Sequence, residues 1–169
     1  MQLRTAPRGT RRVLLALTTT AALGAGTLAV AAPGYAKSSR VRAHAAATTV
    51  HVIEHAITDT EIPTGGGKDV RGNILTFNNP VYNTANTTQV GHDEGFCTRI
   101  QPKLKIWECL WTTFLKGGQI TVQGPYYDNR NSVLTITGGT GIYDGARGQM
   151  ALNAKDGGKE YDFIFELLS

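Results

Sequence analysis

Apolar and polar residues alternate along most of this chain, and none of its segments has the spacing of a convincing amphipathic helix. Seven of eight periodic segments repeat every two residues, a pattern typical of β-strands. Turn sequences such as KGG, DNRN and DGG separate these segments. The eight predicted strands are 48–57, 72–79, 88–99, 106–115, 118–124, 132–138, 147–154 and 160–167, of which 88–99 is the least regular.

Eight short strands joined mostly by tight turns favour an all-β fold, an eight-stranded antiparallel β-barrel. A closed barrel leaves no strand edge exposed. Eight strands also enclose enough room for one small ligand. We therefore expect a barrel with a small apolar cavity.

The alternation also predicts which side chains face the cavity. In the first strand Glu54 shares a face with Val50, Val52 and Ala56, so a carboxylate interrupts an apolar row. The opposite register would leave Glu54 in solvent, because a slip of one residue exchanges the two faces. Two further rows are Leu75, Phe77 and Asn79, and Ile120, Val122 and Tyr126. Together these rows describe an apolar pocket with a few polar groups, as small-molecule sites usually have.

The first 36 residues have the features of an export signal. Four arginines without an acidic residue precede an apolar stretch rich in small residues, and GYA offers a cleavage site after Ala36. TRRVLL also resembles the twin-arginine consensus, so Sec and Tat export both stay open, as does an uncleaved membrane anchor. We expect a removed signal at 1–36, a flexible leader at 37–47, a barrel domain at 48–169 and a secreted, extracellular protein.

Removal of the signal changes the charge of the protein. Four of the 17 Lys and Arg residues lie in the signal, which leaves 13 basic and 13 acidic side chains. A neutral domain without a basic cluster gives no support to nucleic-acid or anionic-membrane binding. We therefore expect no nucleic-acid partner.

The two cysteines favour a disulfide, because the chain is expected to be exported and their number is even. Cys97 and Cys109 are symmetric about Lys103, as facing positions on a hairpin would be. Their spacing is not CxxC and the chain has no third cysteine, which disfavours a metal or redox role.

A glycine-rich stretch at 135–148, TITGGTGIYDGARG, follows an apolar strand as a dinucleotide-binding loop would. Such a loop needs a helix behind it, whereas the residues after Gly148 alternate with period two and predict a hairpin. We interpret the glycines as a strand connection with φ above zero, and we predict no cofactor.

The sequence HVIEH at 51–55 matches the zinc-protease pattern H-x-x-E-H. That pattern binds one metal only on a helix, and on a strand His51 and His55 would lie about 13 Å apart. We therefore predict no metal site.

The stretch 118–150 resembles the C-terminal half of the allene oxide cyclase barrel. VQGPY, ITGGTG and GARGQ occur in the family's order, and GNILTFNNPVY is similar to the family's GDLVPFTNKLY. The likeness covers most of residues 50–167, and plant dirigent proteins share a looser version of it. The resemblance implies a barrel that receives an apolar substrate and that assembles as a homotrimer.

Plant allene oxide cyclases convert an unstable fatty-acid allene epoxide into a cyclopentenone. Carried over by position, the resemblance implies that Glu54 stabilises the developing positive charge, while Pro63 and Asn79 help to hold a water that grips the epoxide oxygen. Ala56 and Ile62 replace the asparagine and the serine that complete this water site in the family. Cys109 is a further departure from the plant enzymes.

The resemblance also implies that Phe77, Trp107 and Tyr126 contact the ligand, and the inward rows add Val52 and Val122. Two functions follow. The first is an exported barrel that binds a small apolar molecule, lipid-like or polyketide-like, without converting it. The second is an isomerase or cyclase of allene oxide cyclase type, in which Glu54 acts on an apolar epoxide or polyene. A purely structural barrel is a third reading.

Overall fold

The structure is a computed structural model, and it describes residues 48–168. Within this range nine antiparallel strands form one sheet, ordered β1-β9-β8-β7-β6-β5-β4-β3-β2, and β1 also pairs with β3. Eight strands therefore close into a barrel and β2 is additional, which confirms the predicted all-β barrel. The strands are β1 Thr48–His55, β2 Thr60–Ile62, β3 Ile74–Tyr82, β4 Gln89–Gln101, β5 Ile106–Leu115, β6 Gly118–Tyr127, β7 Ser132–Gly141, β8 Gly148–Lys155 and β9 Glu160–Leu167.

Two segments of the sequence prediction lie outside the described residues, namely the export signal at 1–36 and the leader at 37–47. Within residues 48–168, we find no helix with the length and apolar character needed to cross a membrane.

The barrel closes unevenly around β1. β1 pairs with β9 along its whole length, from Thr48 opposite Leu167 to His55 opposite Glu160. It pairs with β3 at only two positions, where Ile53 and Glu54 lie opposite Tyr82 and Val81. The first part of β3 pairs with β2 instead. The seam between β1 and β3 is therefore short.

The register of β1 directs Glu54 into the barrel. Val52 belongs to the buried core, and Glu54 is only 6 % exposed. The two histidines of the H-x-x-E-H pattern contact different side chains: His51 contacts Asp162 at 2.8 Å, and His55 contacts Asn86 at 2.7 Å. The structure thus has the register in which the carboxylate interrupts the apolar row.

Cys97 and Cys109 face each other across β4 and β5 and form the predicted disulfide. Both residues are buried. A disulfide in this barrel is consistent with an extracellular location.

The glycine-rich stretch forms the end of β7 and the turn into β8 rather than a phosphate-binding loop. Gly141 and Gly145 have φ angles of 63° and 72°, as the strand-connection interpretation expects. A Cβ atom on Gly141 would lie 2.0 Å from the carbonyl oxygen of Gly117, whereas a Cβ atom on Gly145 would meet no atom within 4 Å. Glycine is thus required at 141 by both its positive φ angle and the close approach of Gly117, and at 145 by its positive φ angle alone.

Alanine substitutions at these two glycines should differ in their effect on stability. We expect Gly145→Ala to lower the free energy of unfolding by about 1 kcal/mol, because only a left-handed backbone is imposed on alanine. Gly141→Ala should cost at least about 2 kcal/mol, because the backbone clash adds to that strain. Urea unfolding of the two variants measures the difference, and equal losses would contradict the close approach of Gly141 to Gly117.

Candidate functional site

The inside of the barrel contains a cavity with Asp59 and Glu54 in its wall. Its enclosed volume is about 40 Å³, and the open space that includes its mouth is about 350 Å³. The cavity is therefore narrow. Its wall is mostly aromatic and aliphatic, with two carboxylates and the disulfide, and consists of Glu54, Asp59, Leu75, Phe77, Cys97, Cys109, Trp111, Tyr126, Leu152, Tyr161 and Phe163.

Glu54 is the buried carboxylate of this cavity. Burial raises the pKa of its carboxyl group to about 7, and the charge of Asp59 adds to the rise. Hydrogen bonds from Asn79 and Asp93 lower that pKa, but by less than burial raises it. Asn79 donates an amide hydrogen to Glu54 Oε1 at 2.7 Å. Glu54 can therefore gain or lose a proton near neutral pH.

Asn79 organises the seam beside Glu54. Its amide nitrogen donates to Glu54 and also to Asp59 Oδ1, at 2.7 Å in each case. Its amide oxygen accepts from the backbone N–H groups of Ile57 and Thr58, at 3.0 and 2.8 Å. Both amide hydrogens are donated to carboxylates, so Asn79 has none left for the water that the family resemblance implies.

Asp93 is a buried carboxylic acid that the sequence prediction missed. It lies opposite Asn79 in the β3–β4 pairing and has no measurable exposure. Burial raises its pKa well above the ordinary aspartate value, and the charge of Glu54 raises it further. One signal was available in the sequence, because Asp93 is an even number of residues from inward-facing Cys97.

Two tyrosines complete the polar part of the wall. The hydroxyl groups of Tyr126 and Tyr161 hydrogen-bond at 2.9 Å. Burial raises the pKa of both phenols, so both stay neutral across the physiological range. Tyr161 lies opposite Glu54 in the β1–β9 pairing and was also missed from the sequence, although it alternates in phase with buried Phe163.

The structure brings only part of the predicted ligand contacts to the cavity. Phe77 and Tyr126 line it, together with Trp111. Val52 and Val122 are buried in the core but are not part of the cavity wall.

Trp107 is also outside the cavity wall, because other side chains occupy its surface. The guanidinium of Arg99 stacks on its indole ring at 3.8 Å, and its indole N–H donates to Asp128 at 2.8 Å. Arg99 itself is buried and forms ion pairs with Asp128 and Asp69, at 2.7 and 2.8 Å. Trp107 therefore packs against a buried ion-pair cluster and does not face the cavity.

Pro63 is exposed in the loop between β2 and β3 and does not line the cavity. It borders a separate surface groove with Glu61 and Lys68. The structure therefore brings Glu54 and Asn79 together, as the resemblance implies, but leaves Pro63 apart from them.

The raised pKa of Glu54 makes stability depend on pH. In the unfolded chain the carboxyl group loses its proton near its ordinary pKa, whereas in the folded protein it retains it up to about pH 7. The free energy of unfolding should therefore fall between about pH 4.5 and 7, by an amount on the order of 3 kcal/mol. Glu54→Gln should remove the contribution of Glu54 and leave the decline due to buried Asp93, while Glu108→Gln, at an exposed position of β5, should leave the full decline. Urea unfolding across this range tests it, and stability that rises with pH would contradict the burial of a neutral Glu54.

Several solved structures are similar to this barrel. A pyocyanin demethylase shares 21 % identity at a TM-score of 0.59, with the match covering 70 % of this chain and all of that chain. A pterocarpan synthase dirigent protein shares 18 % identity at 0.60, covering 73 % of this chain and 91 % of that one. An exo-specific intermolecular Diels-Alderase shares 16 % identity at 0.59, covering 73 % and 98 %. At these identities the likeness concerns the fold alone.

A sequence match identifies the family. The allene oxide cyclase family model matches residues 50–155, which include β2 to β8 and most of β1. The matched range contains both Glu54 and Asn79, the two residues whose side chains meet at the barrel seam. The chain therefore belongs to the allene oxide cyclase family.

Proposed function

We propose that this is an exported barrel whose cavity binds one small, mainly apolar molecule, lipid-like or polyketide-like in character. The observation that carries the proposal is a largely aromatic and aliphatic cavity with a few polar groups in its wall. Phe77, Trp111 and Phe163 offer ring surfaces, and the Tyr126–Tyr161 pair offers neutral hydroxyl groups. Binding an apolar ligand to such a wall is favourable because apolar surface is removed from water, and the few polar groups orient the ligand.

Export supports this proposal from a different direction. The basic start, the apolar stretch and the small-residue site at Ala36 are sequence features, and the Cys97–Cys109 disulfide forms in oxidising compartments. The neighbours of known structure include proteins named for reactions on small molecules, a demethylase, a pterocarpan synthase and a Diels-Alderase. The homotrimer implied by the family stays a prediction.

A variant with a filled cavity should lose its bound molecule. We expect protein purified from its native source to carry a non-covalent adduct in native mass spectrometry that organic solvent extracts. Leu75→Phe enlarges a side chain of the cavity wall and should reduce the occupied fraction at least tenfold. Leu110→Phe makes the same change on β5 at a side chain that is 38 % exposed and outside the wall, and it should retain the adduct.

Absence of any adduct, combined with failure of a total lipid extract of the source cells to bind the purified protein, would contradict the binding proposal. Equal loss from the two phenylalanine variants would contradict the location of the site in the cavity.

A second candidate function is an isomerase or cyclase of allene oxide cyclase type. The observation that favours it is the Glu54 carboxylate, which lines an apolar cavity and is oriented by Asn79 at 2.7 Å. A buried negative charge stabilises positive charge that develops as an epoxide opens, because little water is present to screen it. Asn79 acts in this proposal by holding the carboxylate. Ala56 and Ile62 weigh against an epoxide grip of the plant type, so the substrate is left as an apolar epoxide or polyene.

The enantiomers of the product distinguish catalysis from passive binding. Ring closure of a fatty-acid allene epoxide in achiral solution gives a racemic cyclopentenone, whereas closure inside the barrel should give an excess of one enantiomer, measured by chiral chromatography. Glu54→Gln should return the product to a racemate, because an amide supplies no negative charge. The same variant should still bind the apolar molecule, since a buried amide costs less than a buried carboxylate. A racemic product with the wild-type protein would contradict cyclase activity on this substrate class.

A further inference from the structure

Two buried carboxyl groups lie side by side at the barrel seam. Glu54 on β1 is 6 % exposed, and Asp93 on β4 has no measurable exposure. Asn79 of β3 lies between them, because its side chain binds Glu54 and its backbone is paired opposite Asp93. The strands thus bring together two acids that are 39 positions apart in the chain.

Asp93 has almost nothing to stabilise a negative charge. Among residues 48–168, no N–H or O–H group meets either of its carboxyl oxygens with hydrogen-bond geometry. The nearest backbone N–H groups, of Asn79 and of Asp93 itself, lower its pKa by less than burial raises it. The hydroxyl of Thr113, opposite Asp93 on β5, also lacks a partner. A buried carboxylate without donors is costly, so Asp93 retains its proton.

The retained proton has an acceptor nearby. A protonated carboxyl group has one O–H to donate, and the hydrogen bond from Asp93 lowers the pKa of Glu54, as donation to a carboxylate does. The other titratable groups that face Glu54 are Asp59, whose charge raises its pKa, and Tyr161, whose phenol is neutral. Within the described chain these neighbours include no cation that would ionise both acids.

One residue of the cavity wall has an unused hydrogen-bond donor. Trp111 is 3 % exposed and lines the cavity, and its indole N–H has no partner. A buried N–H without an acceptor is uncommon, and it is satisfied when a ligand supplies an oxygen. The indole N–H of Trp107, by contrast, already donates to Asp128.

We propose that Glu54 and Asp93 hold one proton between them once Glu54 has ionised, and that Glu54 exchanges a proton with a bound molecule whose carbonyl oxygen accepts a hydrogen bond from Trp111. The ligand is then a mainly apolar carbonyl compound. Glu54 touches the ligand as a base, and Asp93 is a positioning residue that acts through Glu54. The ligand part of this inference rests on the proposed binding function, whereas the acid pair does not.

The step moves one proton and requires no co-reactant. A hydrogen bond from Trp111 to the carbonyl oxygen makes the C–H bond on the adjacent carbon more acidic. That C–H bond breaks, its electron pair forms an enolate whose charge lies on the oxygen, and the proton forms an O–H bond with the Glu54 carboxylate. The reverse step returns a proton from Glu54 to carbon. In D₂O the acidic proton of Glu54 exchanges with solvent, so the carbon acquires deuterium.

The acid pair is tested first without any ligand, by NMR of the full protein labelled with ¹³C at Asp and Glu carboxyl carbons. At about pH 7 the Asp93 carbon should show a protonated acid, while Glu54 titrates near pH 7. Asp93→Leu removes the donor and should raise the pKa of Glu54, and Asp93→Asn restores a donor and should bring it back towards the wild-type value. Asp59→Asn should lower the pKa of Glu54 and leave Asp93 protonated. An ionised Asp93 at neutral pH would overturn the acid pair.

The ligand class is tested with two probes of equal shape, cyclohexanone and methylenecyclohexane, whose binding is followed by ligand-observed NMR titration. Wild type should bind cyclohexanone about tenfold more tightly, and Trp111→Phe should abolish this preference. If neither probe binds, the proposed binding function fails for ligands of this size, and the ligand part of the inference fails with it. If both bind equally, only the assignment of a carbonyl to Trp111 is overturned.

Deuterium incorporation next to the carbonyl group of cyclohexanone in D₂O, measured by mass spectrometry, tests the proton transfer. The wild-type protein should incorporate deuterium faster than buffer alone. Glu54→Gln should bind cyclohexanone but incorporate deuterium only at the buffer rate. Asp93→Leu should shift the rise of the exchange rate to higher pH, and Asp93→Asn should restore the profile. A purely structural Asp93 would alter stability without moving that profile. Binding without exchange above the buffer rate would overturn the transfer step.

Discussion

The amide of Asn79 is the interaction on which the barrel seam depends. β1 and β3 pair at only two positions, so backbone hydrogen bonds alone connect them weakly. The Asn79 side chain adds contacts to both sides of this gap: its nitrogen binds Glu54 and Asp59, and its oxygen binds the turn at Ile57 and Thr58. One buried amide thus closes the barrel and orients the carboxylate in its cavity.

This arrangement links stability to chemistry. A carboxyl group among apolar side chains is unfavourable as a charge, and the raised pKa of Glu54 expresses that cost. The same cost makes the group useful, since a carboxyl that titrates near pH 7 can hold or release a proton under physiological conditions. Asp93 shows the same cost, because burial and the nearby charge of Glu54 raise its pKa well above the ordinary aspartate value. The seam is therefore the part of the barrel where the fold tolerates a polar cluster that packing alone would not favour.

Much of the fold could be predicted from the sequence, because period-two alternation determines both the strands and their inward faces. All eight predicted strands are present, and facing cysteines indicated the β4–β5 hairpin. β2 was missed because three residues are too few to show a period. β3 continues past its predicted end because Pro80, which usually interrupts a strand, is accommodated at the short seam.

The site was less predictable than the fold. The alternation and the family resemblance together identified Glu54, Asn79, Phe77 and Tyr126. Asp93 lies in the irregular first part of β4, where polar residues on both faces obscure which side chains point inward. Asp59 lies between β1 and β2, where the sequence has no alternation of apolar and polar residues. Trp107 and Trp111 have the same phase on β5, and only the position of Arg99 shows which of them is covered. Tertiary contacts of this kind leave no mark on a single sequence.

The most direct test of the account is a crystal structure of the protein with the molecule that solvent extraction recovers from it. We predict that the molecule lies in the cavity against the rings of Phe77 and Trp111, with an oxygen at hydrogen-bonding distance from the Trp111 indole N–H and a carbon beside the Glu54 carboxylate. A molecule bound on the outer surface, or a Glu54 carboxylate that points into bulk solvent, would contradict the account.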